Sequence, residues 1–120
     1  MWLREYVLWE GEQVIKREKR RYLALEVVSE QTVDERAVLD AVQASVIRLF
    51  GEYGASKTNL KLITYIPEKR QFVIRCSHKA LERVRAAIAS TTEINGKNAA
   101  IHVIGVSGTL KALSKKTPNI

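Results

Sequence analysis

The sequence contains one cysteine, two prolines and six glycines among its 120 residues, and only 7% of its residues are aromatic. The single cysteine, Cys76, cannot form an internal disulfide, so a reducing compartment is expected. No apolar run approaches the roughly 18 residues that a membrane span needs. The first residues include acids and lack the long apolar stretch of a signal peptide. These absences predict a cytoplasmic protein with no membrane partner.

Motifs for catalysis and metal binding are also missing. The sequence has no C-x-x-C or H-x-x-x-H spacing, and neither His78 nor His102 belongs to a set of metal ligands. It has no G-x-x-x-x-G-K or G-x-G-x-x-G phosphate loop. Asp34, Glu35 and Asp40 follow the surface of a predicted helix instead of converging as nuclease carboxylates do. We therefore predict no catalytic residue, no metal site and no cofactor bound by the protein.

Positive charge is what the chain does have. The formal net charge is +7 and the pI is about 9.8, while 46% of the residues are hydrophobic. Such an excess on a domain with enough apolar residues for a core favours an anionic partner, most often nucleic acid. A solvated approach to a strand is the alternative explanation for the first basic run. The candidate RNA-binding residues are Lys16, Arg17, Lys19, Arg20, Arg21, Lys111, Lys115 and Lys116.

The apolar patterns predict one α+β domain at 16–120, preceded by a docking arm or short helix at 1–15. Thr32 is expected to cap the first long helix through a capping box with Glu35, and Gly51 or Gly54 is expected to end it. The predicted strands are 21–28, 60–66, 70–77 and 99–106, and the predicted helices are 33–50, 78–91 and 110–116.

The order β-α-β-β-α-β is that of ferredoxin-like and RNA-recognition-motif domains. It predicts a four-stranded antiparallel sheet with two helices on one face, with extra short N- and C-terminal helices. Alternation places mostly apolar side chains on the other face, so we expect a protein or a helix to cover it. That face should show Ala24, Glu26, Ile63, Tyr65, Val73 and Arg75. The candidate protein-interface residues are Ile63, Tyr65, Val73 and Arg75.

The same topology bears on RNA binding. Tyr22 is the one aromatic residue at the base-stacking positions of an RNA-recognition motif, so the sheet is not expected to read single-stranded bases. The first and fourth strands of this fold pair antiparallel, which should bring the basic run before Tyr22 close to the chain after Val106. We therefore expect Arg21 and Lys111 on one side of the molecule, where they would contact the backbone of folded RNA.

Five short motifs, in order and at suitable spacing, resemble the archaeal and eukaryotic ribonuclease P protein component 2 family. The resemblance covers roughly 16–116. The motifs are 19–23 (KRRYL), 49–54 (LFGEYG), 60–65 (LKLITY), 72–77 (FVIRCS) and 107–111 (SGTLK).

The resemblance implies a subunit of ribonuclease P, the ribonucleoprotein that removes the 5′ leader from precursor tRNA. It implies that ribonuclease P RNA catalyses the hydrolysis with magnesium, so the protein is not an enzyme by itself and meets precursor tRNA only indirectly. It also implies a partner, ribonuclease P protein component 3, and a homodimer or a heterotetramer with component 3. By position, Arg20, Arg21 and Lys111 are expected to touch RNA, and Arg75 to face a protein partner or an internal acid.

Two other classes stay open from the sequence. A dimeric ferredoxin-like ligand-sensing regulatory domain would explain the apolar sheet face but not the net charge of +7. A ribosomal RNA-binding protein has similar charge and size but predicts no dependence on component 3. A direct enzyme ranks last, because no acid–base pair or metal set is visible.

Overall fold

The structure, a computed structural model, describes residues 6–10, 13–16 and 19–116. Strands β1 (Tyr6–Glu10) and β2 (Gln13–Lys16) pair antiparallel with each other. Of the two predicted forms of this segment, the short helix is therefore wrong, because tyrosine, valine, tryptophan and isoleucine favour strands. The division of the chain after residue 15 stays a prediction.

The remaining strands form one antiparallel sheet in the order β4-β5-β3-β7-β6. The expected β-α-β-β-α-β order is confirmed, but the sheet has five strands instead of four. The extra strand, β6, arises because Asn95 and Gly96, with φ of 54° and 77°, form a tight turn into β7. The strands are β3 (Arg20–Ser29), β4 (Lys61–Ile66), β5 (Gln71–Ser77), β6 (Glu93–Ile94) and β7 (Lys97–Ser107), and the helices are α1 (Glu35–Ser56), α2 (Leu81–Ser90) and α3 (Leu110–Lys116).

Helices α1 and α2 cover one face of the sheet and enclose the main core. The alternate side chains of β3 and β5 point into it, as the alternation predicted. Val38, Val42 and Val46 supply the buried stripe of α1, and Val84, Ala87 and Ile88 that of α2. Within the described ranges, no helix combines the length and apolar character that crossing a membrane requires.

The ends of α1 differ from the prediction. Asp34, not Thr32, caps the helix, because its Oδ1 accepts a hydrogen bond from the Ala37 amide at 2.7 Å. The prediction that Gly51 or Gly54 ends the helix is wrong: Gly51 only interrupts it, with φ 77° and ψ 171°, and helical turns resume and continue to Ser56. Glycine suits this break because a side chain at such a positive φ would be strained.

A β-bulge in β4 changes which side chains face the core. Leu62 pairs with Ile74 and Thr64 with Val73, so Ile63 is the extra residue on this strand. The bulge reverses the alternation beyond it and turns Tyr65 towards the core side. There the Tyr65 ring stacks on Phe72 with 4.4 Å between centroids, and its hydroxyl donates to the Val33 carbonyl at 3.2 Å. The prediction that Tyr65 shares the outer face with Ile63 is therefore wrong.

Helix α3 covers part of the outer face of the sheet. Leu113 is fully buried against Ala24 and Val73, with Tyr22 and Ile63 packed around them. The apolar outer face is thus covered in part by a helix of the chain itself. Val73 is fully buried beneath α3, which removes it from the surface available to a protein partner.

Candidate RNA-binding surface

Four segments converge at one end of the sheet: the starts of β3 and β4 and the ends of β5 and β7. Arg20 pairs with Ser77, and Tyr22 pairs with Ser107. The loops are joined there too, because the His78 amide donates to the Lys19 carbonyl at 2.8 Å. We call this part of the molecule, from the β3 start across to the β4 start, the basic end.

The two basic segments of the sequence meet at the basic end. The register of Tyr22 with Ser107 brings the start of β3 beside the chain that leaves β7. The guanidinium of Arg21 lies so close to Gly108 that a Cβ at Gly108 would be 3.5 Å from Nη1 of Arg21. Lys111 follows three residues later. The predicted meeting of the two basic segments at one end of the sheet is confirmed, whereas the placement of Arg21 and Lys111 on one side of the molecule stays a prediction.

Helix α3 holds its lysines in fixed directions. Its first turn is capped by Thr109, whose Oγ1 accepts from the Ala112 amide at 3.1 Å. Because Leu113 points inward, Lys111 and Lys115, one helical turn apart, lie on the opposite, solvent-facing side. Two exposed ammonium groups are therefore attached to a helix that the core anchors.

The other candidates differ in their surroundings. Lys19 and Arg20 are exposed, and Arg21 is half-buried with Nη1 donating to the Arg20 carbonyl at 3.0 Å. Lys116 donates through Nζ to the Val106 carbonyl at 2.9 Å, which fastens the end of α3 to β7. Lys16 belongs to β2, and its side chain lies outside the described residues, as does the whole of Arg17.

Cys76 lies behind this surface and directly opposite Arg21 in the register of β3 and β5. Burial raises the pKa of the Cys76 thiol from 9.0 to about 11, while the charge of Arg21 acts in the opposite direction. The thiol is therefore protonated at neutral pH and unsuited to act as a nucleophile. Across 19–116 and the two N-terminal strands, no group of three or more histidine, cysteine or acidic side chains could hold a metal ion.

The basic end also contains cations that were not among the candidate RNA-binding residues. Lys57 caps the C-terminal end of α1, and Lys79 lies in the turn after β5. Lys61 begins β4 and pairs with Arg75, which pairs with Tyr22. The predicted strand order already implied this position for Lys61, because the starts of β3 and β4 lie at the same end of a split β-α-β sheet.

Of the candidate protein-interface residues, Ile63 and Arg75 lie on the outer face, whereas Tyr65 faces the core side and Val73 is covered. Large exposed apolar side chains instead follow one another along the second half of α1, on both sides of the break at Gly51. They are Ile47, Leu49, Phe50 and Tyr53, with exposed fractions of 43%, 42%, 38% and 77%. Helical periodicity would extend the buried stripe of Val38, Val42 and Val46 to Leu49 and Phe50, but both side chains are partly exposed.

A split β-α-β sandwich with a cationic end places the chain in the class of small α+β proteins that suit an anionic macromolecule. The chain belongs to the Rpp14/Pop5 family, whose sequence profile matches residues 21–117.

Several named relatives support this assignment. Ribonuclease P protein component 2 of Methanosarcina mazei is 37% identical over 100 residues, covering 83% of this chain and 84% of the relative. The protein of the same name from Pyrococcus abyssi is 34% identical over 100 residues, covering 83% and 85%. A chain in the cryo-electron microscopy structure of yeast ribonuclease MRP has a similar fold, with a TM-score of 0.65 and 13% identity over 78% of this chain and 76% of that chain.

Proposed function

We propose that this chain is a protein subunit of ribonuclease P and supports the RNA of that complex in removing the 5′ leader from precursor tRNA. The observation that carries the proposal is the similarity to ribonuclease P protein component 2 over most of both chains. The basic end supplies a physical means, because cations fixed to strands and to an anchored helix can hold a phosphate backbone in register.

In this proposal the RNA performs the chemistry with magnesium, and the protein contributes no reacting group. The basic end neutralises phosphates, which allows RNA segments to approach each other with less repulsion. Arg20, Arg21 and Lys111 make the direct contacts, and precursor tRNA is met only through the folded RNA. The compartment we propose is the cytoplasm.

We also propose ribonuclease P protein component 3 as the protein partner, with association of two such pairs through this chain. The exposed apolar side chains at the second half of α1 support a protein contact at that place. Leu49 and Phe50 continue the buried stripe of Val42 and Val46 but are partly exposed, so a partner that covers them would extend the existing core.

Reconstitution tests this function directly. Cleavage of precursor tRNA by ribonuclease P RNA is measured at limiting magnesium, with component 3, in the presence and absence of this chain. The chain should increase the cleavage rate, because added cations replace part of the ionic screening that magnesium supplies. No gain in rate would contradict the proposal and favour a regulatory or ribosomal role.

A variant pair makes the test specific to the basic end. Arg20→Ala with Arg21→Ala should weaken RNA binding and make its salt dependence shallower by roughly one unit per lost phosphate contact. The matched control is Lys69→Ala with Lys97→Ala, which removes the same charge from the opposite end of the sheet. Equal losses from both pairs would mean that net charge alone, and not the basic end, governs binding.

A further inference from the structure

Lys61 and Arg75 face each other across two neighbouring strands. They are direct partners in the antiparallel register of β4 and β5, so their side chains leave the sheet on the same face. Arg75 is in turn the direct partner of Tyr22, and Tyr22 of Ser107. We call Lys61, Arg75 and Tyr22 the cross-strand row; with a strand spacing of about 4.8 Å, it extends about 10 Å from β3 to the edge of the sheet.

The position of the row relative to α3 leaves it open to solvent at the edge strand. Helix α3 covers the neighbouring positions Ala24, Val73 and Ile63, which lie further from the basic end. Lys61 is exposed and Arg75 is half-buried. The row therefore follows the border of α3 from the cations at the start of β3 to the start of β4.

The charges of the row have no opposite charge beside them in the part of the chain that the structure describes. Among the residues of the described ranges, neither Lys61 nor Arg75 forms an ion pair or a side-chain hydrogen bond. Two like charges directly opposite each other on a sheet destabilise the strand pair. The free protein therefore carries an electrostatic cost at this position, which an anion lying between the two side chains would relieve.

We propose that the cross-strand row binds the phosphodiester backbone of RNA. It would extend the RNA-binding surface from the two basic segments, at the start of β3 and after β7, across β5 to β4. This inference rests on the proposed function and adds the row to it. Lys61 and Arg75 contact phosphates, and Tyr22 lies between Arg75 and the end of β7 as part of the floor of the site. The phosphates belong to either a single strand or a paired segment, which the binding test separates.

Binding of a short oligouridine and of an RNA duplex to the full-length chain tests the row. The double variant Lys61→Gln with Arg75→Gln should bind more weakly, with a slope of log affinity against log salt that is shallower by about 1.4 for a single-stranded site or about 1.8 for a duplex site. At 0.1 M salt, a slope change of about 1.4 corresponds to a loss of RNA affinity on the order of 25-fold. The probe that shows the loss identifies the kind of RNA.

The control variant for this test is Lys69→Gln with Lys97→Gln, which makes the same change in net charge at the far end of the sheet and should leave the slope unchanged. Equal slopes for the two double variants would overturn the inference.

The stability of the free chain provides a second and independent reading. In urea unfolding at low salt, Lys61→Glu should raise the midpoint, because it replaces a like-charge pair with an opposite-charge pair. The same substitution should weaken RNA binding. A residue with a purely structural role would not change stability and binding in opposite directions, so a lowered midpoint would overturn the inference.

The outcome also distinguishes this inference from the proposed function. If Arg20→Ala with Arg21→Ala weakens RNA binding while the row variant does not, the row is rejected and the subunit role stands. If neither variant affects binding, both are rejected.

Discussion

Arg21 links the core of the protein to its surface. Its backbone is part of β3 beside Cys76, and its guanidinium extends to Gly108 and the Arg20 carbonyl. Its charge lowers the pKa of the buried Cys76 thiol, although the larger effect of burial raises that pKa to about 11. One residue thus belongs both to the packing of the strand and to the cationic surface.

The Cys76 thiol should be unreactive in the folded chain. At a pH near 9 the unfolded thiol is about half ionised, whereas the folded thiol, with a pKa of about 11, stays protonated. Alkylation by iodoacetamide should therefore be slow in buffer and fast in urea. As the pH rises from about 9 to 11, the unfolded chain loses this proton first, so the contribution of the thiol to stability declines over that interval.

Equal alkylation rates in buffer and in urea would contradict the burial of Cys76. Arg21→Ala is an informative comparison, because removing the cation that opposes the shift should raise the thiol pKa further and slow alkylation in the folded chain.

Among the elements, α3 decides how the outer face of the sheet is used. It covers Ala24 and Val73 through one side chain, Leu113, and it presents Lys111 and Lys115 on its other side. A helix of only seven residues has little stability by itself. Its position therefore depends on the burial of Leu113 and on the bond from Lys116 to the Val106 carbonyl.

Leu113→Ala should release α3 and weaken RNA binding. Truncating a fully buried leucine lowers the free energy of unfolding by about 2 to 5 kcal/mol, and the amides of α3 should then exchange hydrogen faster. The matched control is Leu110→Ala in the same helix, because that side chain is 44% exposed and should have little effect. Similar urea midpoints for the two variants would show that Leu113 does not anchor the helix.

At the scale of the whole molecule, the excess positive charge lies at one end of the strands. At the end opposite the basic end, the acids Glu30, Asp34, Glu35, Glu68 and Glu93 nearly balance the cations Arg36, Lys69, Arg70 and Lys97. At the basic end, only Glu52 and Glu82 accompany the cations within the described ranges. Those cations are Lys19, Arg20, Arg21, Lys57, Lys61, Arg75, Lys79, Lys111, Lys115 and Lys116. Such a distribution orients the protein towards a polyanion before contact.

Lysine acetylation in the presence and absence of ribonuclease P RNA should reveal this orientation. Lys57, Lys61, Lys79 and Lys111 should be protected by the RNA, because they lie at the basic end. Lys69 and Lys97, at the other end of the sheet, are internal controls that should stay reactive. Protection of both groups to the same degree, measured by mass spectrometry, would mean that the RNA does not bind one end preferentially.

Patterns local to the chain were sufficient to predict the main elements but not their details. The capping residue illustrates the limit, because Thr32 and Asp34 both suit the start of α1. Val33 is buried and its carbonyl accepts a hydrogen bond from Tyr65, contacts that hold this part of the chain outside the helix and leave Asp34 as the cap. A residue distant in sequence thus selects between two locally equivalent starts.

The sequence by itself determined the α+β class, the order of the central elements and the meeting of the two basic segments, because periodicity and strand topology follow from local patterns. Tertiary structure alone decided that a bulge turns Tyr65 inward, that α3 covers Val73, and that Lys61 faces Arg75. Register, bulges and burial depend on which distant segments pack together, and alternation along one strand carries no information about its partner.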